Sequence, residues 1–142
     1  MDVGQEIAIE IGRVSRQWRS RLDERLRHTG LTQARWLVLL QLSQMGGALS
    51  QKELAGSVGV EGPTLVRVLD KLEQQGLVER RASEEDRRVK TIHLAEAARP
   101  VLAEITGIAA ALRHELLADV AEADLRTARE VLRTIGDRLE RL

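Results

Sequence analysis

Apolar residues recur along the first segment at helical spacing. Ile7, Ile11, Val14, Trp18, Leu22 and Leu26 form one stripe, with Arg13, Arg16, Arg19, Arg21, Asp23, Glu24 and Arg25 on the other faces. The pattern predicts a helix from about Gly4 to His28, broken by Gly30. Thr32 is a suitable N-cap for a second helix over Gln33–Met45. Trp36, Leu37, Leu39, Leu40 and Leu42 make that helix apolar on most sides, which predicts burial. Gly46-Gly47 ends it, and Ala48-Leu49 suits a short strand.

The pattern tightens from Ser50 onward. Ser50 with Glu53 reads as a capping box, in which the serine oxygen and the glutamate side chain each satisfy a free amide. The helix behind it is short because Gly59 can take the left-handed conformation that ends helices. Pro63 suits the first turn of the next helix, where its missing N–H is not needed. Gly76 is that helix's C-terminal glycine, and Leu77 is placed to fold back on Leu72 in a Schellman ending. Leu65, Val68, Leu69 and Leu72 form the predicted core face, while Thr64, Arg67, Lys71 and Gln74 share an outward stripe. Leu77–Arg80 and Val89–Leu94 read as paired strands around the polar connection 82–88. Helix, turn, helix and hairpin together predict a winged helix.

Two further helices are predicted after Leu94. The first is apolar along Val101, Leu102, Ile105, Ile108, Ala109, Leu112 and Leu116, with Pro100 making it start late or kink. The last begins near Glu122, where Glu122 and Asp124 suit the positive helix end. In it Leu125, Ala128, Leu132, Ile135, Leu139 and Leu142 alternate steps of three and four, a heptad seam. That seam fits either a hairpin with the preceding helix or a second subunit. The N-terminal stripe, which also lacks a partner within the chain, favours the subunit and places Ile7, Ile11, Leu125, Leu132, Ile135 and Leu139 in a dimer interface.

Composition narrows the picture. The 142 residues amount to about one domain. With no cysteine, disulfides, thiolate metal sites and thiol redox chemistry are excluded. No run is long and apolar enough to span a membrane, and no signal-peptide pattern is present, so a cytoplasmic protein is expected. The 22 basic and 22 acidic residues cancel, which disfavours an unselective nucleic-acid binder but allows segregated charge. Two tryptophans, the only aromatic residues, argue against base-stacking single-strand modules. His28, His93 and His114 stand apart, without the spacing of a metal or catalytic motif, so no enzyme and no cofactor are expected. Glu84, Glu85 and Asp86, flanked by arginines, read as an internal salt-bridge arrangement rather than a metal cluster.

The outward stripe of the second short helix is, by itself, an ordinary solvated face. The turn before it and the hairpin after it point it toward a DNA groove. Arg67, with Pro63 and Thr64 near it, would read or flank bases in the major groove. Ser50 and Lys71 would hold phosphates. Arg87 and Arg88, near the wing tip, would enter a minor groove or clamp the backbone, with Asp86 holding one arginine extended.

The run from Val58 to Leu94, VGVEGPTLVRVLDKLEQQGLVERRASEEDRRVKTIHL, resembles the winged helix of the MarR/SlyA family of bacterial transcription regulators, the SlyA branch most. The wing pattern Asp-x-Arg stands here as Asp86-Arg87-Arg88, and a weaker likeness extends over nearly the whole chain. Such relatives often carry a capping threonine where this chain has Ala95, and the branch that senses peroxide through a cysteine is ruled out. The resemblance implies a mainly α fold with a small β wing: a winged helix-turn-helix over 31–95, flanked by dimerisation helices over 1–30 and 96–142. It implies a homodimer on palindromic double-stranded DNA, modulated by a small aromatic or phenolic acid such as salicylate. In the matching neighbourhood Arg16 would pair with the carboxylate, with Trp18, Trp36 and Leu40 as apolar walls; the other reading makes both tryptophans plain core. The rival function is a helical dimeric adaptor that uses its winged helix to bind protein.

Overall fold

The computed structural model describes all residues 1–142. In chain order it contains α1 (Val3–Arg25), a 3-10 turn (Arg27–Thr29), α2 (Gln33–Gln44), β1 (Ala48–Ser50), α3 (Gln51–Val58) and α4 (Gly62–Gln74). Then come β2 (Val78–Ala82), β3 (Lys90–Leu94), a 3-10 turn (Glu96–Ala98), α5 (Arg99–Leu117) and α6 (Glu122–Glu140). The architecture is mainly α with one small antiparallel sheet in the order β1-β3-β2.

The helix boundaries follow from local chemistry. Asp2 and Gln5 form a full reciprocal capping box at the start of α1, which the apolar stripe alone did not reveal. α1 ends at Arg25 rather than His28 because the chain tightens: the Thr29 hydroxyl donates to the Leu26 carbonyl at 2.6 Å and Gly30 turns left-handed at φ 74°. Ser50 accepts from the Glu53 amide at 3.1 Å, the forward half of the expected box. Thr32 stands at the N-cap of α2, but its side chain makes no capping bond. Gly76 and Leu77 donate to Glu73 and Leu72 at 2.9 Å each, the two bonds of a Schellman ending. Pro100 falls in the first turn of α5, so that helix starts late behind a 3-10 turn whose N-cap, Ala95, has no side chain to offer.

The core gathers around α2, which packs on α3, α4, β1 and β3. Trp36, Val38, Leu39 and Leu42 are buried there with Leu54, Val58, Leu65, Leu69, Leu72, Val78 and Ile92. Val68, expected among them, is only half-buried. The Trp36 indole N–H does not go unsatisfied: it donates to Asp23 Oδ1 at 2.9 Å, tying α2 to α1. In the sheet, Ala48–Ser50 pairs with Thr91–His93, as the short first strand anticipates. β2 runs two residues further than expected, to Ala82, with Arg80 opposite Ile92 and Ala82 opposite Lys90.

The chain divides into two compact units, Met1–Ala109 and Ala110–Leu142, with the boundary inside α5. In the first unit the early turns of α1 leave Ile7, Ile11 and Val14 about two-fifths exposed. In the second, α6 buries no residue at all, and Leu132 and Leu139 are 53% and 63% exposed.

Because Leu69 is fully buried on α4, Leu69→Ala is expected to cost about 2–5 kcal/mol of unfolding free energy. Urea unfolding followed by far-ultraviolet circular dichroism checks this. A loss below about 1 kcal/mol would mean that α4 is not held by this face.

Candidate nucleic-acid interface

α4 is built to be half core and half surface. With Leu65, Leu69 and Leu72 fully buried on one side, Pro63, Arg67, Lys71 and Gln74 are exposed on the other, and Thr64 lies half-buried at the edge. An Nη2 of Arg67 lies 3.5 Å from the Thr64 hydroxyl, a weak tether at the outer limit of hydrogen bonding. The guanidinium therefore keeps most of its donor capacity for another partner.

The wing is a closed loop rather than a loose one. Ser83 N–H donates to the Val89 carbonyl at 2.8 Å, and Val89 N–H donates to the Asp86 carbonyl at 2.9 Å. At its tip Asp86 accepts from the Arg88 backbone N–H at 3.0 Å and from Arg88 Nε at 3.2 Å, with a second guanidinium bond at 3.3 Å. Arg88 remains 91% exposed along its side chain, so the carboxylate steers the arginine without covering it. Arg87 beside it is exposed and makes no hydrogen bond or ion pair. Of the three acids in this loop only Asp86 is paired; Glu84 and Glu85 point into solvent, so the expected salt-bridge arrangement narrows to one residue.

A groove of about 590 Å³ runs between the start of α3, the start of α4 and the wing, lined among others by Ser50, Lys52, Gly62, Arg88 and Lys90. It brings Ser50 and Arg88, separated by 38 residues, to one surface. Ser50 Oγ already accepts from Glu53, which leaves its O–H free to donate. Lys52 and Lys90 join this surface without having been singled out from the sequence. Lys52 lies within the cap box and Lys90 at the start of a strand, and nothing in either spacing marks an outward cation.

A second feature escaped the sequence reading. Arg80 on β2 reaches α4, its Nη2 donating to Asp70 Oδ1 at 2.6 Å and to Glu73 Oε1 at 2.9 Å. Its backbone N–H donates to Glu73 Oε2 at 3.2 Å. These bonds hold the Glu73 carboxyl below its ordinary range and raise the Arg80 guanidinium.

The remaining sequence candidates lie elsewhere. Trp36 is fully buried, Trp18 and Leu40 are half-buried, and Arg16 is exposed on α1 with its guanidinium over Gly12. His28 Nε2 lies 2.9 Å from Glu104, and His93 Nε2 lies 2.9 Å from the Thr91 hydroxyl. His114 is exposed on α5. No helix is long and apolar enough to cross a membrane.

Comparison with known proteins gives this geometry a family. The MarR family pattern matches residues 31–90, from just before α2 to the start of β3. A MarR family transcriptional regulator from Silicibacter pomeroyi DSS is 30% identical over 89% of this chain and 84% of its own, with a TM-score of 0.82. The chain belongs to the MarR family of transcriptional regulators. It is also similar to the transcriptional regulator PA3341, at 48% identity over 96% of this chain and 99% of that one, with a TM-score of 0.90. NadR, solved in complex with 4-hydroxyphenylacetate, shares the fold at 19% identity, covering 91% of each chain with a TM-score of 0.83. The MarR winged helix-turn-helix here is therefore α3, α4 and the β2–β3 hairpin, with Arg67 and Arg88 on its two outward elements.

The Arg88 guanidinium, and then the Arg88 N–H, hold the Asp86 carboxyl below its ordinary 3.8. A depressed carboxyl means that the contact contributes fully above 3.8 and is lost as pH falls through the lowered value. Wing-tip geometry should thus stay constant across neutral pH. A carboxyl NMR titration is expected to place the Asp86 midpoint below 3.8, and Arg88→Ala should move it upward. Identical midpoints in the two proteins would mean that Arg88 does not hold Asp86 in solution.

Proposed function

We propose that this MarR protein is a homodimeric transcription regulator that binds palindromic double-stranded DNA, with α4 in the major groove and the wing in the minor groove. One observation carries the reading most. Two differently placed arginines, Arg67 on α4 and Arg88 on the wing, are outward; Arg67 has only a weak tether to Thr64, and Arg88 is aimed by Asp86 while staying exposed. Arg67 reads or flanks bases with Pro63 and Thr64 beside it. Ser50 and Lys71 hold phosphates. Arg88, with Arg87, enters the minor groove, where A·T-rich stretches concentrate negative potential.

The dimer reading is supported by apolar surface that the single chain leaves uncovered. Ile7 and Ile11 on α1, and Leu132 and Leu139 on α6, are each at least 40% exposed. Leu125 and Ile135 complete the seam on α6, half-buried. Two subunits related by a two-fold axis present their recognition helices to half-sites one DNA turn apart, roughly 34–36 Å. Leu132→Glu is expected to shift the protein toward monomer in gel filtration; an unchanged elution volume would take α6 out of the interface.

Fluorescence anisotropy across a salt series tests the DNA reading. Nanomolar preference for a duplex from the protein's own upstream region is expected, with affinity falling steeply in salt as counterions are released. Arg67→Ala should relax sequence preference, since a bidentate arginine–guanine pair contributes about 1–3 kcal/mol of discrimination. Arg88→Ala should weaken binding to all duplexes and lower the salt slope by about one. Full affinity in both variants would overturn this division of labour, and no DNA binding even at low salt would favour a protein-binding adaptor.

The ligand class is a small aromatic or phenolic acid such as salicylate. NadR with its bound 4-hydroxyphenylacetate supports the class through a shared fold. Arg16 pairs with the carboxylate, with Trp18, Leu40 and Trp36 as the apolar neighbourhood. Such a ligand lowers DNA affinity only by binding one dimer conformation better than another. With Trp36 buried and already bonded to Asp23, Trp18 is the residue expected to report. Tryptophan emission should change on adding salicylate and should stop doing so in Trp18→Leu; a flat titration of the unmodified protein would overturn the assignment.

A further inference from the structure

The recognition helix carries two carboxylates close to the residue that would read DNA. Asp70 stands one turn beyond Arg67, and Glu73 one turn beyond Asp70. Both are partly exposed, at 47% and 43% along the side chain. Acids in that position would repel a polyanion at short range, where like charges across an interface are costly. Yet neither is free. The Arg80 guanidinium bonds both, at 2.6 and 2.9 Å, and its own backbone N–H closes on the second oxygen of Glu73.

Arg80 is an odd choice for packing alone. It sits opposite Ile92 in the sheet and two residues from Val78, on the face where both of those side chains are buried. Its own side chain is only 24% exposed. A position of that kind would ordinarily suit an apolar residue, and a half-buried ion pair is weak evidence of stability for its own sake. The planar fork of an arginine instead suits the simultaneous bonding of two carboxylates.

We infer that Arg80 is a positioning residue for DNA binding, which keeps Asp70 and Glu73 turned back onto the wing so that α4 offers the duplex Arg67 and Lys71 without opposing charge. The inference rests on the DNA reading above and deepens it. Arg80 reaches no base or phosphate in this account. It acts through the two acids, and loss of its charge frees them.

The test uses the full-length protein and a mixed-sequence duplex at low salt, followed by fluorescence anisotropy, so that no operator need be known. Arg80→Gln is compared with the unmodified protein and with a triple variant carrying Arg80→Gln, Asp70→Asn and Glu73→Gln. Arg80→Gln is expected to weaken binding by about tenfold or more, from the released like-charge repulsion. The triple variant is expected to recover to within about threefold of the unmodified protein, because the repulsive charges are gone along with their mask. Melting curves of both variants report on the fold separately. Undiminished binding by Arg80→Gln would overturn the inference, and so would a loss that the triple variant fails to recover, since a merely structural arginine gives that result. No binding by the unmodified protein would overturn the DNA reading itself, and the inference with it.

Discussion

Everything in the first unit depends on α4 being two things at once. Its Leu65, Leu69 and Leu72 are fully withdrawn from water, and burying such side chains is the largest favourable term available to a domain of this size. The same helix must leave its other side bare. A 13-residue helix has room for both only if the apolar stripe is narrow and the ends are sharply defined. That is why its boundaries are marked so heavily: Pro63 inside the first turn, and a two-bond Schellman ending at Gly76 that throws the chain straight into β2. The wing follows from that ending, because β2 starts where the turn delivers it.

This punctuation is also why so much of the fold was readable in advance. Gly59, Pro63 and Gly76 impose backbone geometry through their own covalent structure, so their meaning survives without knowledge of what packs where. Apolar periodicity likewise located α1, α2 and α6, and the cap at Ser50 was visible three residues from its partner. Local causes leave local traces. The residues that went unread have causes at a distance. Arg80 bonds acids seven and ten positions earlier across a tight turn, a spacing that belongs to no helical or strand rule. Asp23 meets Trp36 only because two helices pack. Lys52 and Lys90 share a groove only after the sheet forms. Val68 shows the converse limit: its spacing fits the stripe, but the core turns away before reaching it.

The two tryptophans separate in a way that composition did not foretell. Trp36 is sealed in the core with its single donor satisfied, as a buried indole must be. Trp18 stays half-exposed on a helix whose first turns are bare. The contrast matters for the ligand reading, because a side chain already packed on every side has little left to give a small molecule. Arg16, exposed on the same helix, and the half-buried Trp18 and Leu40 are the members of that neighbourhood with surface still to offer.

A formal charge of zero looks like an argument against a DNA-binding protein, and the structure shows why it is a poor one. Net charge counts every ionisable group equally, whereas a polyanion meets only those that are both outward and unspent. Along α1 and α6 the charges are largely taken up by neighbours one turn away, as in Arg13 with Glu10 and Arg133 with Glu130. On the winged helix some of the acids are taken up by arginines, while Glu84 and Glu85 stay unpaired in solvent. Asp70 and Glu73 close on Arg80, and Asp86 closes on Arg88 while leaving that arginine almost fully exposed. Lys52, Arg88 and Lys90 line the groove, with Arg67 and Lys71 exposed on α4 and Arg87 exposed on the wing. Segregation of this kind has an advantage over a uniformly basic protein, since non-specific attraction to DNA grows with every phosphate neutralised while discrimination comes from few contacts. A neutral chain whose winged helix still presents unpaired basic residues keeps the first term modest and leaves the second intact.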